Sequence, residues 1–448
     1  MDTETISSVA FYAACILCVL NSLGIDAFIA ELSEASTVLS QRAVYADMFG
    51  FKHTMNNFNH NEVAKAKSRL LGRLIQVQGV NHLPKIFPCL VKRAEQSLEE
   101  QLTLGKVCSD GISLPVACTV RALTSRVMGV LFFGEKISSD PIFASALLRY
   151  PKEMVLCMVA FQVTPSFLSS SSHSEKRYVH GLITKQGDAQ TIILKRLAHI
   201  MGAGRDAWDE DPAIRELTFA WNIASIGLDS EYWNGPEHLA QTLLGVWFAA
   251  AHQPWMNLDF LLLQLCRRPD TQEALRQEIG TLEGLNYAKL MDLPFLDSFI
   301  KETVRLHPLD KLAVRRKALQ PYTFASGSPQ IPAGATVAVS SYDLMHNSTD
   351  YPSPDDFQPR RFMDKGSPVR GTKFTEVSDR FPIWGYGSLA CPGRFHASIV
   401  MKLVIAQFVM RYDMKLEDEN ARTFWSWETF IMPYESTRLI PKERVSTS

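Results

Sequence analysis

The pattern of hydrophobic and polar positions predicts a mainly helical protein. Apolar residues recur at helical spacing in long tracts, which are Asp26 to Ala46, Val63 to Leu102, Leu114 to Phe133, Ile142 to Phe167, Ile192 to Ile226, Leu239 to Cys266 and Pro392 to Tyr412. The tract 239–266 is apolar nearly all round, which is typical of a helix at the centre of a large protein. Between Pro321 and Val339, β-branched and aromatic residues punctuated by Gly and Pro predict short strands. We therefore expect a mainly α domain with a small β region.

The first apolar tract has the length of a membrane-spanning helix. No residue from Ile6 to Ile25 is charged, and about 20 helical residues cross a bilayer. Acidic Asp2 and Glu4 stand where a secretory signal would carry positive charge, so we expect a retained anchor over residues 1–28. The body, residues 29–448, would then face the cytosol. The Cys15-x-x-Cys18 pair inside this tract has no second pair at metal-ligand spacing, which favours a packing role.

Composition excludes several classes of protein. Hydrophobic residues make up 46% of the chain, which is enough for a large core and too many for a disordered protein. The 46 basic residues nearly balance the 47 acidic ones, and no segment concentrates positive charge, so we expect no nucleic-acid partner. Eight scattered cysteines do not form the framework of a disulfide-stapled domain.

One cysteine lies in a loop suited to a flat cofactor. The segment FPIWGYGSLACPGRFHA places Cys391 directly before a predicted helix. Gly385 and Gly387 permit unusual backbone angles and a close approach to a ligand, Pro392 suits the first helical position, and Gly393 leaves room beside the sulfur. The helix N-terminus would stabilise a thiolate at this position. A nucleophilic or disulfide-forming cysteine is the alternative, although no redox partner lies nearby in the sequence.

These residues resemble the haem loop of the cytochrome P450 family. That loop has an aromatic residue seven positions before the cysteine, glycine four before it and glycine two after it, which Trp384, Gly387 and Gly393 match. The resemblance implies the P450 fold and haem b ligated by Cys391. Leu389 departs from the family, which usually has a basic residue there to meet a haem propionate.

A second segment carries the other hallmark of the resemblance. Glu302 and Arg305 are three residues apart on a predicted helix and can pair, as many surface residues do. The family has this Glu-x-x-Arg motif upstream of the haem loop, followed by Pro-x-Arg-Phe, here Pro359 to Phe362. The resemblance implies a buried structural network of Glu302, Arg305 and Arg361. It also implies that Arg316, or failing that Arg315, meets a haem propionate. Lys67 and Arg69 are weaker candidates for the other propionate. The alternative is that Arg315 and Arg316 simply face solvent.

The centre of the long apolar tract suggests proton transfer. Pro254 should kink the helix there, because it removes one N–H group and clashes with the carbonyl of Ala250. In the P450 family dioxygen binds above the iron beside this segment, where an acid followed by Thr delivers protons. Here His252 and Gln253 occupy those two positions. They form either a relay with water or a structural pair that satisfies the freed carbonyl.

The resemblance also implies a substrate pocket, whose residues could equally be plain core. The candidates are Trp247, Phe248, Ala249, Ala250, Trp255, Leu312, Val314, Ile431 and Met432. Their apolar character suits a lipophilic ligand.

We expect a membrane-bound monooxygenase of the endoplasmic reticulum that receives electrons from NADPH through cytochrome P450 reductase. The loop sequence resembles those of fungal P450s that modify terpenoids or polyketides. A P450-type isomerase or dehydratase acting on a peroxide substrate is the alternative, because such members also lack the Thr. A non-catalytic haem-binding remnant is a third possibility.

The N-terminal part departs from the resemblance. Anchored members have a Pro-rich hinge, a helix and two strands before the point that this chain reaches near residue 30. We therefore expect a shortened N-terminal β region, from a reduced or truncated gene, with uncovered strand edges.

Overall fold

Helices make up most of the described protein. The computed structural model describes residues 15–17, 25–33, 37–48, 62–163, 188–202, 208–227, 235–327, 329–363 and 373–444. Its helices are α1 (Ile25–Leu32), α2 (Gln41–Met48), α3 (Glu62–Asn81), α4 (Leu83–Thr103), α5 (Val116–Phe133), α6 (Glu135–Ser139), α7 (Pro141–Val163), α8 (Asp188–Gly202), α9 (Pro212–Arg215), α10 (Phe219–Gly227), α11 (Pro236–Cys266), α12 (Pro269–Ile279), α13 (Tyr287–Met291), α14 (Pro294–Leu306), α15 (Ser341–Met345) and α16 (Arg394–Arg411).

The long helix α11 runs through the core. It starts at Pro236, after Gly235 at φ 97°, and proline at this position costs no helical hydrogen bond. Helices α5, α8, α14 and α16 all pack against it. Leucines such as Leu243 and Leu261 are completely buried, and burial of each side chain stabilises the folded state by roughly 1.5–3 kcal/mol. Packing, more than helix propensity, therefore determines where α11 lies.

Short strands form small sheets beside the helices. The strands are β1 (Cys15–Leu17), β2 (Leu39–Ser40), β3 (Lys106–Cys108), β4 (Gly111–Pro115), β5 (Leu312–Ala318), β6 (Tyr322–Thr323), β7 (Gln330–Ile331), β8 (Thr336–Ser340), β9 (Tyr412–Leu416), β10 (Phe424–Trp427), β11 (Phe430–Pro433) and β12 (Arg438–Glu443). The sheets have the orders β1-β8-β5-β2, β3-β4-β12-β9, β6-β7 and β10-β11. The mainly α architecture with a small β region is confirmed.

The first sheet has its own apolar core, separate from the helical one. Phe28, Ile29 and Leu32 on α1 pack with Phe324 and Val337 from the sheet side. The aromatic rings of Phe28 and Phe324 lie 4.5 Å apart between centroids. Helix α1 therefore belongs to the folded body, and the predicted boundary at residue 28 falls inside it.

The N-terminal strands correct one expectation. β1 pairs in parallel with β8, and β2 pairs in antiparallel orientation with β5. The expectation of uncovered edges is wrong for β5 and β8, because β1 and β2 flank them. Residues 15–17 are also extended rather than helical, since their backbone groups pair with β8. The rest of the predicted anchor before Ile25 lies outside the described residues, so the anchor stays a prediction.

One described helix, α5, is long and apolar enough to cross a membrane, judged by its length and composition alone. Its most apolar stretch, residues 116–133, is 83% buried within the protein. Burial of this kind is typical of a core helix.

Candidate active site

The loop before α16 brings the backbone around Cys391. Two short 3₁₀ turns precede it, Pro382–Trp384 and Gly387–Leu389. Gly385 and Gly387 have φ of 75° and 59°, a left-handed conformation that strains side-chain-bearing residues. The N–H of Cys391 donates to the carbonyl oxygen of Trp384 at 2.6 Å. The loop thereby presents the sulfur at the start of α16.

The Cys391 sulfur receives donors suited to a metal-bound thiolate. Burial raises the pKa of the Cys391 thiol, while the backbone N–H groups of Gly393 and Arg394 and the Arg394 charge oppose that shift. The Arg394 side chain is fixed by hydrogen bonds to the carbonyl oxygens of Cys391 and Thr375, at 2.9 and 3.0 Å. A soft metal would displace the thiol proton, and the same N–H groups would then donate to the metal-bound sulfur.

Helix α3 lies close to the same loop. A Cβ atom built on Gly393 would lie 4.0 Å from both Cys391 Sγ and Ile75 Cγ2. A longer side chain at Gly393 would extend into the space beside the sulfur. Glycine therefore keeps that space open for a flat group.

Arg316 is a buried cation without a described carboxylate partner. Only 2% of it is exposed. Its Nε and Nη1 donate to the carbonyl oxygens of Leu32 and Arg315, at 2.8 and 2.7 Å. Burial lowers its pKa to about 10. A buried guanidinium of this kind favours an anionic partner, which a haem propionate would supply.

Arg315 is already neutralised. Its Nη2 lies 2.7 Å from Asp310 Oδ1 and donates to Thr429 Oγ1 at 2.6 Å. Of the two predicted arginines, only Arg316 fits a propionate contact. The side chains of Lys67 and Arg69 lie outside the described residues.

Glu302, Arg305 and Arg361 meet in one buried network. Arg305 contacts both carboxylate oxygens of Glu302, Nε to Oε2 at 2.8 Å and Nη2 to Oε1 at 3.0 Å. Arg361 Nε lies 3.0 Å from each of the same oxygens. The remaining guanidinium N–H groups donate to backbone carbonyls, including those of Met345 and Pro352. Each charged group is thus satisfied, which is the condition for a stable buried cluster.

This network connects to the cysteine loop through Tyr351. The guanidinium carbon of Arg305 lies 5.3 Å from the Tyr351 ring centroid. The Tyr351 hydroxyl donates to the carbonyl oxygen of Arg380 at 2.8 Å. Arg380 directly precedes the loop that ends at Cys391, so the network and the loop share one anchoring point.

A second buried ion pair was not predicted from the sequence. Lys402 on α16 lies 2.9 Å from Asp297 on α14. The same Asp297 oxygen accepts from the Phe374 N–H at 3.0 Å, and the Phe374 carbonyl accepts from Trp384 Nε1 at 2.6 Å. Trp384 is therefore positioned by α14. Asp297 and Lys402 lie far apart in the sequence and belong to no recognisable motif, so only the packing reveals the pair.

The centre of α11 has one accessible side. Ala249 and Gln253, one turn apart, are exposed, whereas Trp247, Phe248 and Trp255 are buried. The helix continues through Pro254 without interruption. Small residues on the accessible side leave room for a ligand beside the helix.

His252 has an environment unlike the one that its unperturbed pKa suggests. Burial, followed by the charge of Arg121, lowers its pKa to about 4. Its ring stacks on Phe248 at 5.5 Å between centroids, and its Nδ1 is buried without a protein partner. Within the described residues, neither His252 nor Gln253 bonds the Ala250 carbonyl, which counts against the purely structural interpretation.

Among the predicted pocket residues, Trp247 belongs to the helical core, whereas four others lie on the strands β5 and β11. Trp247 is fully buried, its Nε1 donates to the Leu147 carbonyl at 3.1 Å, and Phe132 lies 5.4 Å away between ring centroids. It is therefore a core residue. Val314 lies at a bulge in β5 with φ 50°, a strained conformation for a β-branched residue. Leu312 begins the same strand, and Ile431 and Met432 lie on β11.

Known proteins are similar to this chain in sequence. The sequence model of the cytochrome P450 family matches residues 113–440. Cytochrome P450 monooxygenase cdmJ of Talaromyces verruculosus is 26% identical over 85% of this chain and 72% of its own. Cytochrome P450 monooxygenase paxP of Penicillium paxilli is 25% identical over 86% of this chain and 73% of its own.

The fold also resembles a solved structure. Retinoic acid bound cyanobacterial CYP120A1 superposes with a TM-score of 0.66, at 19% identity, over 93% of this chain and 87% of that one. The predicted P450 fold is thereby confirmed. The match to the family model and the monooxygenases that resemble this chain show that it belongs to the cytochrome P450 family and is a monooxygenase of that family.

Proposed function

We propose that the protein binds haem b through Cys391 and oxidises a lipophilic small molecule of the terpenoid or polyketide class. The observation that carries the proposal is a half-buried cysteine whose sulfur lies beside backbone N–H groups, together with Arg316, a buried cation that has no carboxylate partner among the described residues. Haem supplies both the metal and the anion that these two groups call for.

Bound haem supplies the capacity to activate dioxygen with electrons from an NADPH-dependent reductase. The chain's own residues hold and surround it. Arg394 and the Gly393 N–H fix the sulfur, and Arg316 orients one edge of the macrocycle. Gln253 holds a water molecule by its amide, and His252 passes protons as a neutral imidazole that accepts at one nitrogen and donates at the other.

The lipophilic substrate follows from the proposed lining. Phe248, Leu312, Val314 and Ile431 are apolar and nearly buried, so a ligand between them gains free energy by leaving water. The apolar lining recognises shape and hydrocarbon surface, which suits terpenoid and polyketide skeletons.

Replacing the cysteine tests the ligand assignment. Cys391→Ala should abolish the spectrum of the reduced carbonyl complex that is typical of thiolate ligation. Cys266→Ala is a matched control, because Cys266 is a buried thiol on α11 outside the loop. A normal thiolate spectrum in the Cys391 variant would refute the assignment.

An isomerase or dehydratase remains a second candidate, favoured by Gln253 at the position of the usual Thr. It would convert an organic hydroperoxide without any reductant, whereas a monooxygenase would require NADPH and the reductase. Product from hydroperoxide alone, together with no NADPH-dependent product, would decide for the second candidate.

We further propose that the protein works on the endoplasmic reticulum membrane, with its catalytic body in the cytosol. The charge-free tract from Ile6 to Ile25 suggests this, and a membrane-spanning helix there would require residues 15–17 to leave their pairing with β8. Fractionation of cells that express the full chain, with protease protection of the membranes, tests both statements. A body resistant to added protease in intact vesicles would reverse the orientation.

A further inference from the structure

Four buried polar atoms without protein partners line one face of α11. They are His252 Nδ1, Trp255 Nε1 and both carboxylate oxygens of Asp259. The spacings of three and four residues place the three side chains in one row along the helix. Asp259 is completely buried. This row extends for about 10 Å along the helix axis.

Arg121 of α5 lies against the row. Its guanidinium carbon is 4.3 Å from the centroid of the Trp255 ring. Its Nη2 is 2.7 Å from Glu435 Oε1, and Lys152 Nζ is 3.0 Å from the other oxygen of Glu435. The side chains of Glu435 and Lys152 are about half exposed, whereas that of Arg121 is mostly buried. Charged groups therefore lead from the surface to the row.

The row calls for water. A buried polar atom left without a partner costs about 1–3 kcal/mol, and folded proteins meet that need with internal water. The indole N–H donates, the imidazole nitrogen accepts or donates, and the carboxyl group does either when protonated. A few water molecules can therefore satisfy all four atoms and join them into one hydrogen-bonded chain.

The two titratable groups of the row differ in protonation. Burial raises the pKa of Asp259 well above its ordinary value, and the Arg121 charge only partly opposes this. Burial and the same Arg121 charge lower the pKa of His252 to about 4. Asp259 therefore holds a proton more readily than His252 does.

We propose that a file of water molecules along this row carries protons between Asp259 and His252, and that Arg121 and Glu435 connect the file to the surface beside Trp255. Asp259 is then a positioning residue that holds and passes the proton. Each proton that leaves at His252 is replaced by one from bulk water, so the file itself neither gains nor loses protons. The proposal rests on the oxygenation reaction proposed above, whose electrons come from the reductase.

Infrared spectroscopy tests the water file independently of turnover. The full-length protein should show the carbonyl stretch of a protonated carboxylic acid that is absent from Asp259→Asn. On transfer to D₂O this band should shift within minutes, since water reaches the carboxyl group. A band that shifts only when the protein unfolds, or no difference between the two proteins, would overturn the proposal.

Turnover tests the role of Asp259 in proton delivery. Asp259→Asn should lower kcat for NADPH-driven oxygenation by about 100-fold, the lower end of what a placed proton-transfer group contributes. KM should change little, and the solvent deuterium isotope effect on kcat should rise. Trp255→Phe keeps the ring under Arg121 but removes one donor, so it should show a smaller change in the same direction. Thr242→Val, on the same helix outside the row, is the control.

The outcomes separate the two proposals. If the wild-type protein binds no haem or consumes no NADPH, the proposed function fails while the infrared result still decides the water file. If the wild type turns over and Asp259→Asn matches it in kcat and isotope effect, proton delivery by this route is refuted. In that case the proposed oxygenase function stands.

Discussion

Buried charges at the residue scale divide by how completely they are paired. Arg305 and Arg361 have carboxylate and carbonyl partners in the Glu302 network, whereas the partners of Arg316 within the described part of the chain are carbonyls. Uncompensated buried charge opposes folding unless a ligand of opposite charge binds. The paired arginines therefore stabilise the fold, and Arg316 favours binding of an anion.

This difference predicts how the two neighbouring arginines respond to removal. Arg316→Leu should speed transfer of haem from the protein to apomyoglobin by about tenfold, since a charge-assisted contact worth about 1.5–3 kcal/mol is lost. Its free energy of unfolding without haem should stay equal or rise.

Arg315→Leu provides the matched control. It should lower the stability of the protein by breaking the pair with Asp310 and should leave haem transfer nearly unchanged. Equal haem transfer from the Arg316 variant and the wild type would contradict the propionate contact.

Motif spacing predicted some of these residues and could not predict others. Glu302, Arg305 and Arg361 follow a recognisable order in the sequence, and the structure brings them together. Asp259 and Lys402 have no such signal, because their environment depends on which helix packs against them. The low pKa of His252 has no such signal either, since burial and the Arg121 charge are properties of the fold.

At the scale of elements, α11 combines a long buried helix with an internal proline. Pro254 cannot donate to the Ala250 carbonyl, and its ring crowds that turn. The sequence predicted the helix, which continues through Pro254 without interruption; the kink at Pro254 stays a prediction. It could not predict which side of the helix would be accessible, because that depends on neighbouring elements.

The proline is expected to lower stability. Pro254→Ala should raise the free energy of unfolding by about 1–3 kcal/mol, because an N–H group is restored inside the helix. Urea unfolding followed by circular dichroism measures this. Pro236→Ala, at the first position of the same helix, should change it little. A loss of stability in the Pro254 variant would mean that the proline shapes the packing of α11.

At the scale of the whole molecule, three buried histidines make stability depend on pH. Burial lowers the pKa of His252, His307 and His396 to about 4, whereas unfolded histidine titrates near 6.5. Between these values the unfolded chain binds protons that the folded chain does not. Stability therefore falls as the pH drops from about 6.5 towards 4. The raised pKa of Asp259 partly offsets this loss.

His396→Phe isolates one contribution. Both ring nitrogens of His396 are buried without a protein partner, so phenylalanine removes a desolvation cost. The loss of stability between pH 7.5 and pH 5 should shrink by about 2 kcal/mol. Urea midpoints at the two pH values measure this, with the exposed His238→Phe as control. An unchanged pH dependence would show that His396 has water or another partner.

The overall architecture was largely predictable, because long apolar tracts dictate helices wherever they occur. The N-terminal region was not, since β1 and β2 are too short to be recognised without the strands that they join. Their pairing with β8 and β5 depends on contacts across almost the whole chain.

The carbonyl groups of Leu32 and Ser33 connect the beginning of the chain to its end. Arg316 donates to the first and Ser388 to the second, at 2.8 and 3.1 Å. The early segment leaves the ribosome long before these late partners exist, so the cysteine loop and its arginine close around a cofactor only after nearly complete synthesis. Haem capture would then be a late step of biogenesis, because a chain released before Cys391 lacks the loop that would hold the cofactor.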